Sequence, residues 1–304
     1  MRKEYLMLIV TTFIWGSGHP IIKLILADLT PIQISMLSSA LGALAVAIGL
    51  IVTKQIRNLA QLRGRGLSLA LLSGIIMFFL YPMLSFTALQ RIPASANSIL
   101  VATSTIFVAV LSPMFLKERL DSKGIAAVLL SFVGVSLVVL STTGEAMDLS
   151  ALNLLGCSFS LLGAIASASY AIIGRRIMSA LDALSVTLVG SLLGAVLLAV
   201  AVAMTSGFDQ IAHASPMNYA LMGYWGIFSG LAYVMFYYSL KRLEATKASS
   251  FIYLSPLFAV GLSILILGEK MTALFVAGMV LVLLGIWGTQ RSQSAASGQS
   301  QSGT

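Results

Sequence analysis

The sequence predicts an all-α membrane protein: ten transmembrane helices arranged as two inverted five-helix repeats, with the N and C termini cytoplasmic. Three observations lead there. Of 304 residues, 58% are hydrophobic and only 9% charged, whereas soluble domains carry about 25% charged residues. Residues 89–137 recur without gaps 151 residues downstream, with matches that include Leu89/Leu240, Arg91/Arg242, Ser98/Ser249, Ser104/Ser255, Phe107/Phe258, Glu118/Glu269 and Gly134/Gly285. Apolar residues match by chance in any membrane chain; an arginine, a glutamate and a glycine at one offset do not do so readily. The third observation is the placement of lysine and arginine, taken up below.

A bilayer core about 30 Å thick requires about 20 mostly apolar residues per helix. Cutting the chain at its charged or Pro/Gly/Ser-rich breaks gives helices at 5–26, 32–53, 66–89, 95–116 and 122–141, then 152–174, 183–204, 218–240, 247–267 and 272–290. The first starts behind Arg2 and Lys3, but its apolar stretch continues past any small-residue cleavage site, so it reads as a retained helix rather than a signal peptide. Connections as short as 27–31 and 268–271 make consecutive helices antiparallel neighbours. The domains follow: a first repeat at 1–141, an outer linker at 142–151, a second repeat at 152–290, and a tail at 291–304. That tail is Ser/Gln/Gly-rich and lacks apolar periodicity, so it is expected to be a disordered cytoplasmic segment.

With the N terminus inside, fifteen of the eighteen lysines and arginines fall on inner segments, as the positive-inside rule requires. Arg91 and Lys270 fall outside, Lys23 lies within the first helix, and Asp28, Glu145, Asp148, Asp209 and Glu269 collect on the outer connections. Five helices per repeat is an odd number, so the second repeat enters the membrane from the opposite side, which is the geometry of alternating-access transporters.

The motifs resemble those of the drug/metabolite transporter superfamily, in its ten-helix branch built from two EamA-type domains. The residues that carry the resemblance are Trp15-Gly16-Ser17 in the first helix and, in each half, a glutamate between the fourth and fifth helices followed by spaced glycines. These read Lys117-Glu118-Arg119-Leu120 with Gly124 and Gly134, then Gly268-Glu269-Lys270-Met271 with Gly278 and Gly285; Leu254-Ser255-Pro256-Leu257 also fits. The first half departs from the pattern, with Thr105 where the proline would stand. The resemblance covers residues 5–290 and implies transport of a small organic solute: an amino acid, a related metabolite or an organic cation, with export favoured. A pore-type facilitator or channel on the same fold is the alternative. The implied location is the cell membrane, as a multi-pass protein of a bacterial or archaeal plasma membrane.

Candidate substrate-binding residues begin in the run from Trp15 to Pro20. Two glycines weaken the helix there, and Pro20 lacks an amide hydrogen and clashes with the carbonyl of Gly16, so the helix is expected to kink or open toward a cavity. The same run also reads as a packing kink, with the glycines admitting a neighbouring helix. Trp15, His19 and Lys23 follow at i, i+4 and i+8 on one face. His19 is ionisable near mid-membrane, which makes it a functional candidate or a neutral imidazole hydrogen-bonded to another helix; Lys23 lies close enough to the outer end to snorkel. Tyr81, Phe86, Tyr170, Tyr233, Tyr237 and Phe251 add ring faces and hydroxyls suited to a partly apolar or cationic solute. Under the 151-residue offset, His19 is equivalent to Tyr170 and Phe86 to Tyr237. Glu118 and Glu269 read as helix caps or local ion-pair partners.

No GxxxxGK[ST], HExxH or GxSxG motif occurs, and no carboxylate stands in the middle of a predicted helix. An enzyme is therefore not expected, nor ATP hydrolysis by this chain. One cysteine and two histidines offer little for a metal site, and no cofactor is expected. The formal charge of +8 is spread over short loops rather than gathered in a basic block, so nucleic acid is not an expected partner. The expected partners are a small-molecule substrate and the lipid bilayer; the sequence specifies no oligomeric state.

Overall fold

A lipid environment offers no hydrogen-bond partner to a free backbone, so a chain this apolar satisfies its peptide groups within helices. The computed structural model describes residues 3–116, 122–141, 151–177, 182–240, 251 and 254–301, at some helical positions by the backbone alone. Among the described residues all regular structure is helical. The helices are α1 (Lys3–Ile25), α2 (Pro31–Val52), α3 (Gly64–Gly74), α4 (Tyr81–Leu89), α5 (Ala94–Ala102), α6 (Ser104–Leu116) and α7 (Ser122–Ser141). After them come α8 (Ala151–Ile177), α9 (Ala183–Met204), α10 (Asp209–Ala212), α11 (Pro216–Leu240), α12 (Leu254–Leu267) and α13 (Ala273–Gln301).

Among the described residues, six stretches are long and apolar enough to cross a membrane: Lys3–Ile25, Pro31–Val52, Gly64–Leu89, Asn153–Ile173, Leu184–Met204 and Pro216–Phe236. Shorter apolar helices occupy Ala94–Val108, Ser122–Val138, Leu254–Leu267 and Ala273–Gly288. The final helix runs past the expected boundary at 290 to Gln301. Most of 247–253, expected at the start of the ninth helix, lies outside the described residues, as does Glu118.

Local chemistry explains where the helices start and stop. Thr30 and Gln33 form a reciprocal capping box at the start of α2, with Pro31 at the first helical turn; this satisfies amide groups that no preceding turn can reach. At the end of α12, Gly268 adopts a φ of 65° and its amide donates to the Ile264 carbonyl at 3.2 Å, the five-to-one closure of a left-handed helix cap. The predicted fourth helix is broken at Thr103, whose hydroxyl donates to the Leu100 carbonyl at 2.6 Å.

The run around Pro20 does not open. Helix α1 continues unbroken through it, and the two glycines serve packing. A Cβ at Gly16 would meet the Ser255 carbonyl oxygen at 2.5 Å, and one at Gly18 would overlap the Trp225 ring. Helix α12 and the α11 tryptophan therefore approach α1 more closely than any larger residue allows.

Small residues also join the repeats. In α7 and α13, a Cβ at Gly134 would meet the Gly278 carbonyl oxygen at 2.8 Å, and one at Gly285 would meet the Ala127 carbonyl oxygen at 2.6 Å. Adding 151 converts Ala127 to Gly278 and Gly134 to Gly285, so these two contacts are one contact seen from either repeat. Rising numbers in α7 meet falling numbers in α13, and the two equivalent helices are antiparallel. Helices α2 and α9 behave likewise: Leu50 clusters with Leu184 and Leu188, Met36 with Leu198 and Val202.

Gly134→Ala and Gly278→Ala are expected to lower the thermal midpoint of the purified protein in detergent, because overpacking a tight contact costs about 1–3 kcal/mol. Gly261→Ala, with no atom within 4 Å of the added carbon, should leave it unchanged or raise it slightly. Equal midpoints for all three variants would contradict the close-packed seam.

Candidate substrate site

An aromatic cluster lies between helices of the two repeats. The Trp15 ring on α1 sits 5.3 Å from Tyr233 and 5.4 Å from Phe236 on α11. Phe78 lies 6.1 Å from Tyr233 and 6.5 Å edge-on from Tyr170 on α8. Tyr81 and Tyr170 are both electrostatic neighbours of Tyr233. These centroid distances are those of rings in mutual contact, so the cluster is closed in this conformation. Among the described residues the buried Trp15 indole Nε1 has no hydrogen-bond partner, which leaves a donor unused in the cluster.

Phe78 reaches the cluster through a backbone irregularity that contains no glycine or proline to mark it. Residues Ile75–Leu80, between α3 and α4, form a π-helical turn, with the Tyr81 amide bonded to the Ile76 carbonyl five residues back. Pro82 explains its position: it has no amide hydrogen for the Phe78 carbonyl and its ring crowds that carbonyl. Ser39 of α2 compensates, its hydroxyl donating to the Phe78 carbonyl at 2.9 Å. Small residues on α9 make room, since a Cβ at Gly194 would meet Phe78 at 2.7 Å. Such π-turns occur often at functional sites.

His19, one turn from Trp15, is held by a polar network rather than by rings. Its Nδ1 lies 2.9 Å from the Asn97 side-chain nitrogen. The Asn97 amide also donates to Ser85 Oγ at 3.2 Å, and its oxygen accepts from Ser160 Oγ at 2.7 Å. Four helices, α1, α4, α5 and α8, meet at this fully buried asparagine.

Lys23 stands a further turn along α1 and has polar partners of its own. Its Nζ donates to the Ile92 carbonyl at 2.5 Å and it interacts electrostatically with Glu269. The Glu269 carboxylate caps α5 of the other repeat: it accepts from the Ala94 amide at 2.7 Å, the Ser95 amide at 3.1 Å and the Ser95 hydroxyl at 2.5 Å. Two further contacts bridge the repeats at this end, Gln33 Nε2 to the Gly207 carbonyl at 3.0 Å and Asn218 Nδ2 to Asp28 Oδ2 at 2.6 Å.

Of the candidates read from the sequence, Trp15, Tyr81, Tyr170 and Tyr233 are brought together, with His19 adjacent. Phe86 is elsewhere, buried in an apolar cluster with Ile22, Ile25 and Leu89. Phe251 stacks on Tyr5 at 5.6 Å, and ten residues of helix put Tyr5 about 15 Å from Trp15 along α1. The Tyr237 side chain lies outside the described residues. Phe78, Phe236, Asn97, Ser85 and Ser160 are additions. Their signal in the sequence is faint: Asn97 stands as a lone amide in an apolar helix, and such residues usually pair across helices.

The comparison with known families decides the identity of this fold. A family model described as "EamA-like transporter family" matches twice, at residues 2–140 and 154–290. The chain belongs to the EamA-like transporter family. Within the drug/metabolite transporter superfamily, it is thus a membrane transporter of small solutes built from two EamA repeats. Family membership and its apolar helices make it a multi-pass membrane protein with bacterial and archaeal relatives, and those relatives are transporters rather than enzymes. A protein of Archaeoglobus fulgidus named an uncharacterized transporter is 28% identical over 96% of this chain and 98% of its own. A Bacillus subtilis protein named uncharacterized transporter YyaM is 26% identical over 93% of this chain and 92% of its own. A probable terminal-alkyne amino-acid exporter of Streptantibioticus cattleyicolor is 24% identical over 94% and 93%. One solved crystal structure shares the EamA-type fold, with a TM-score of 0.67 and 16% identity over 96% of this chain and 98% of the other.

The Ser39 hydrogen bond should depend on Pro82. Ser39→Ala leaves the Phe78 carbonyl unpaired in an apolar setting, at a cost of about 1–3 kcal/mol. In a Pro82→Ala background the helix can pair that carbonyl itself, so the same Ser39 change should cost little. A double-mutant cycle by thermal unfolding measures the coupling, and additive effects would contradict this account of the π-turn.

Proposed function

We propose that this EamA-type protein is a secondary transporter that moves a small organic solute by alternating access through a central cavity. Its units would be the two repeats, 1–141 and 152–290, joined by the linker 142–151: ten transmembrane helices, inverted relative to each other, with both termini cytoplasmic. The substrate is an amino acid, a related metabolite or an organic cation, with export favoured. The amino-acid exporter among the relatives supports that preference, and the antiparallel packing of equivalent helices supports the inversion.

The observation that carries the proposal is the closed aromatic cluster, formed by helices of both repeats around the unpartnered Trp15 donor. Trp15, Tyr81, Tyr170 and Tyr233 line the site, with His19 beside them. Separating the repeats would part these rings and admit a solute of matching size and apolarity. Lys23 serves the closure instead: with Glu269 on the start of α5, Gln33 on Gly207 and Asp28 on Asn218, it belongs to a set of contacts that must break for the outer face to open. Each is individually modest, about 0.5–1.5 kcal/mol net or somewhat more for the charged group, so the closure is strong enough to hold and weak enough to release.

Purified protein in liposomes should carry its substrate at a rate that saturates with concentration; a linear flux would favour a pore. The substrate itself is found by comparing intracellular and medium metabolites of a deletion strain with those of an overexpressing one. For that solute, Trp15→Ala and His19→Ala should each lower transport at least about tenfold, the loss of one good hydrogen bond or ring contact in a desolvated site, at unchanged membrane abundance. Unaltered kinetics in both variants would remove the site from this cluster.

A further inference from the structure

Asparagine has two amide hydrogens to donate and one oxygen to accept with, and at Asn97 every one of these is used. The nitrogen faces His19 Nδ1 at 2.9 Å and Ser85 Oγ at 3.2 Å; the oxygen faces Ser160 Oγ at 2.7 Å. The contact lengths agree with that orientation of the amide. The shortest is typical of O–H donating to oxygen and the two longer ones of N–H donors. Ser85 is in turn hydrogen-bonded to Tyr81, so the network ends at the aromatic cluster.

We propose that Asn97 is a positioning residue that fixes the proton of His19 on Nε2, so that the ring presents a hydrogen-bond donor to the substrate. A ring nitrogen that accepts from an amide carries no proton of its own, and a neutral imidazole then holds its hydrogen on the other nitrogen. A proton on Nδ1 would face the amide hydrogen directly. The Nε2 atom makes no hydrogen bond to any described residue, and His19 is only partly buried. One turn away, about 6 Å along the helix, Trp15 Nε1 is a second N–H without a partner among the described residues. Two free donors on one face of α1, with no described carboxylate hydrogen-bonded to either, suit the acceptor end of a solute: a carboxylate or carbonyl attached to an apolar body that the rings enclose. This polarity rests on the cluster being the substrate site; the role of Asn97 does not.

The test uses the full-length protein in nanodiscs, with ring-¹⁵N histidine and a His213→Gln change so that His19 gives the only signal. Nitrogen NMR should find Nδ1 unprotonated and Nε2 protonated, in at least about tenfold excess over the other tautomer, the ratio one net hydrogen bond maintains. Asn97→Asp replaces the donor by an acceptor and should move a proton onto Nδ1, while Asn97→Ala should give a mixture. If either variant fails to fold, Ser160→Ala frees the Asn97 oxygen to rotate and should also mix the tautomers. A proton on Nδ1 in the unaltered protein overturns the proposal, as does a tautomer indifferent to Asn97 or Ser160. In the metabolite comparison, the exported solute should carry a carboxylate or carbonyl, and a simple alkylammonium ion overturns the donor assignment. If no solute changes, the transport reading fails while the NMR result still decides the role of Asn97.

Discussion

The bilayer supplies no hydrogen-bond partner, and in this molecule each interruption of a regular helix that matters for the site is met by a side chain from another helix. Pro82 frees the Phe78 carbonyl, and Ser39 takes it. His19 brings a polar ring into an apolar interior, and Asn97, anchored by Ser85 and Ser160, takes one of its nitrogens. Orphaned polar groups cost most where no water can reach them, so these partners are what allow irregular backbone and an imidazole to stand near the centre. Trp15 Nε1 is one of the buried polar atoms without a partner among the described residues, and it is the one that lies in the proposed site.

Close approach of backbones follows from the same constraint. Helices in lipid gain little from burying apolar side chains against one another, and they associate by packing and polar contacts instead. Glycines pack α12 against α1, α9 against the π-turn, and α7 against α13. At the α7–α13 seam the two repeats contribute the same contact in opposite directions, so one sequence feature serves both sides of the interface. The aromatic cluster, by contrast, is not symmetric: His19 and its equivalent Tyr170 differ in chemistry, and the network around Asn97 draws on both repeats, His19 and Ser85 from the first and Ser160 from the second.

Much of the architecture was legible in the sequence because membrane helices announce themselves by length and apolarity, and because Glu118/Glu269 and Gly134/Gly285 keep the repeat visible. Helix ends were read closely where a cap marks them, as at Thr30 and Gly268. What the sequence hid was set by tertiary contact. Gly16, Gly18 and Pro20 look like a place for a helix to open, yet the neighbours Ser255 and Trp225 fill the space and the helix stays whole. The true irregularity lies at Ile75–Leu80, which contains neither glycine nor proline; its cause, Pro82, stands just beyond it. Phe86 and Phe251 are aromatic in the same way as Tyr233, and only packing separates a core ring from a site ring. Asn97 lay in plain view as a single amide, but its three partners come from helices 12 to 78 residues away.

Alternating exposure of the aromatic cluster is the claim on which the rest turns, and the single native cysteine, Cys157, makes it measurable. In a Cys157→Ser background, Tyr233→Cys can be labelled with a membrane-impermeant thiol reagent in right-side-out and inside-out vesicles. Labelling is expected from both sides, with added substrate raising the rate from one side while lowering it from the other. Rates that rise or fall together on both sides, as in an open pore, or a cysteine unreachable from either side, would contradict it.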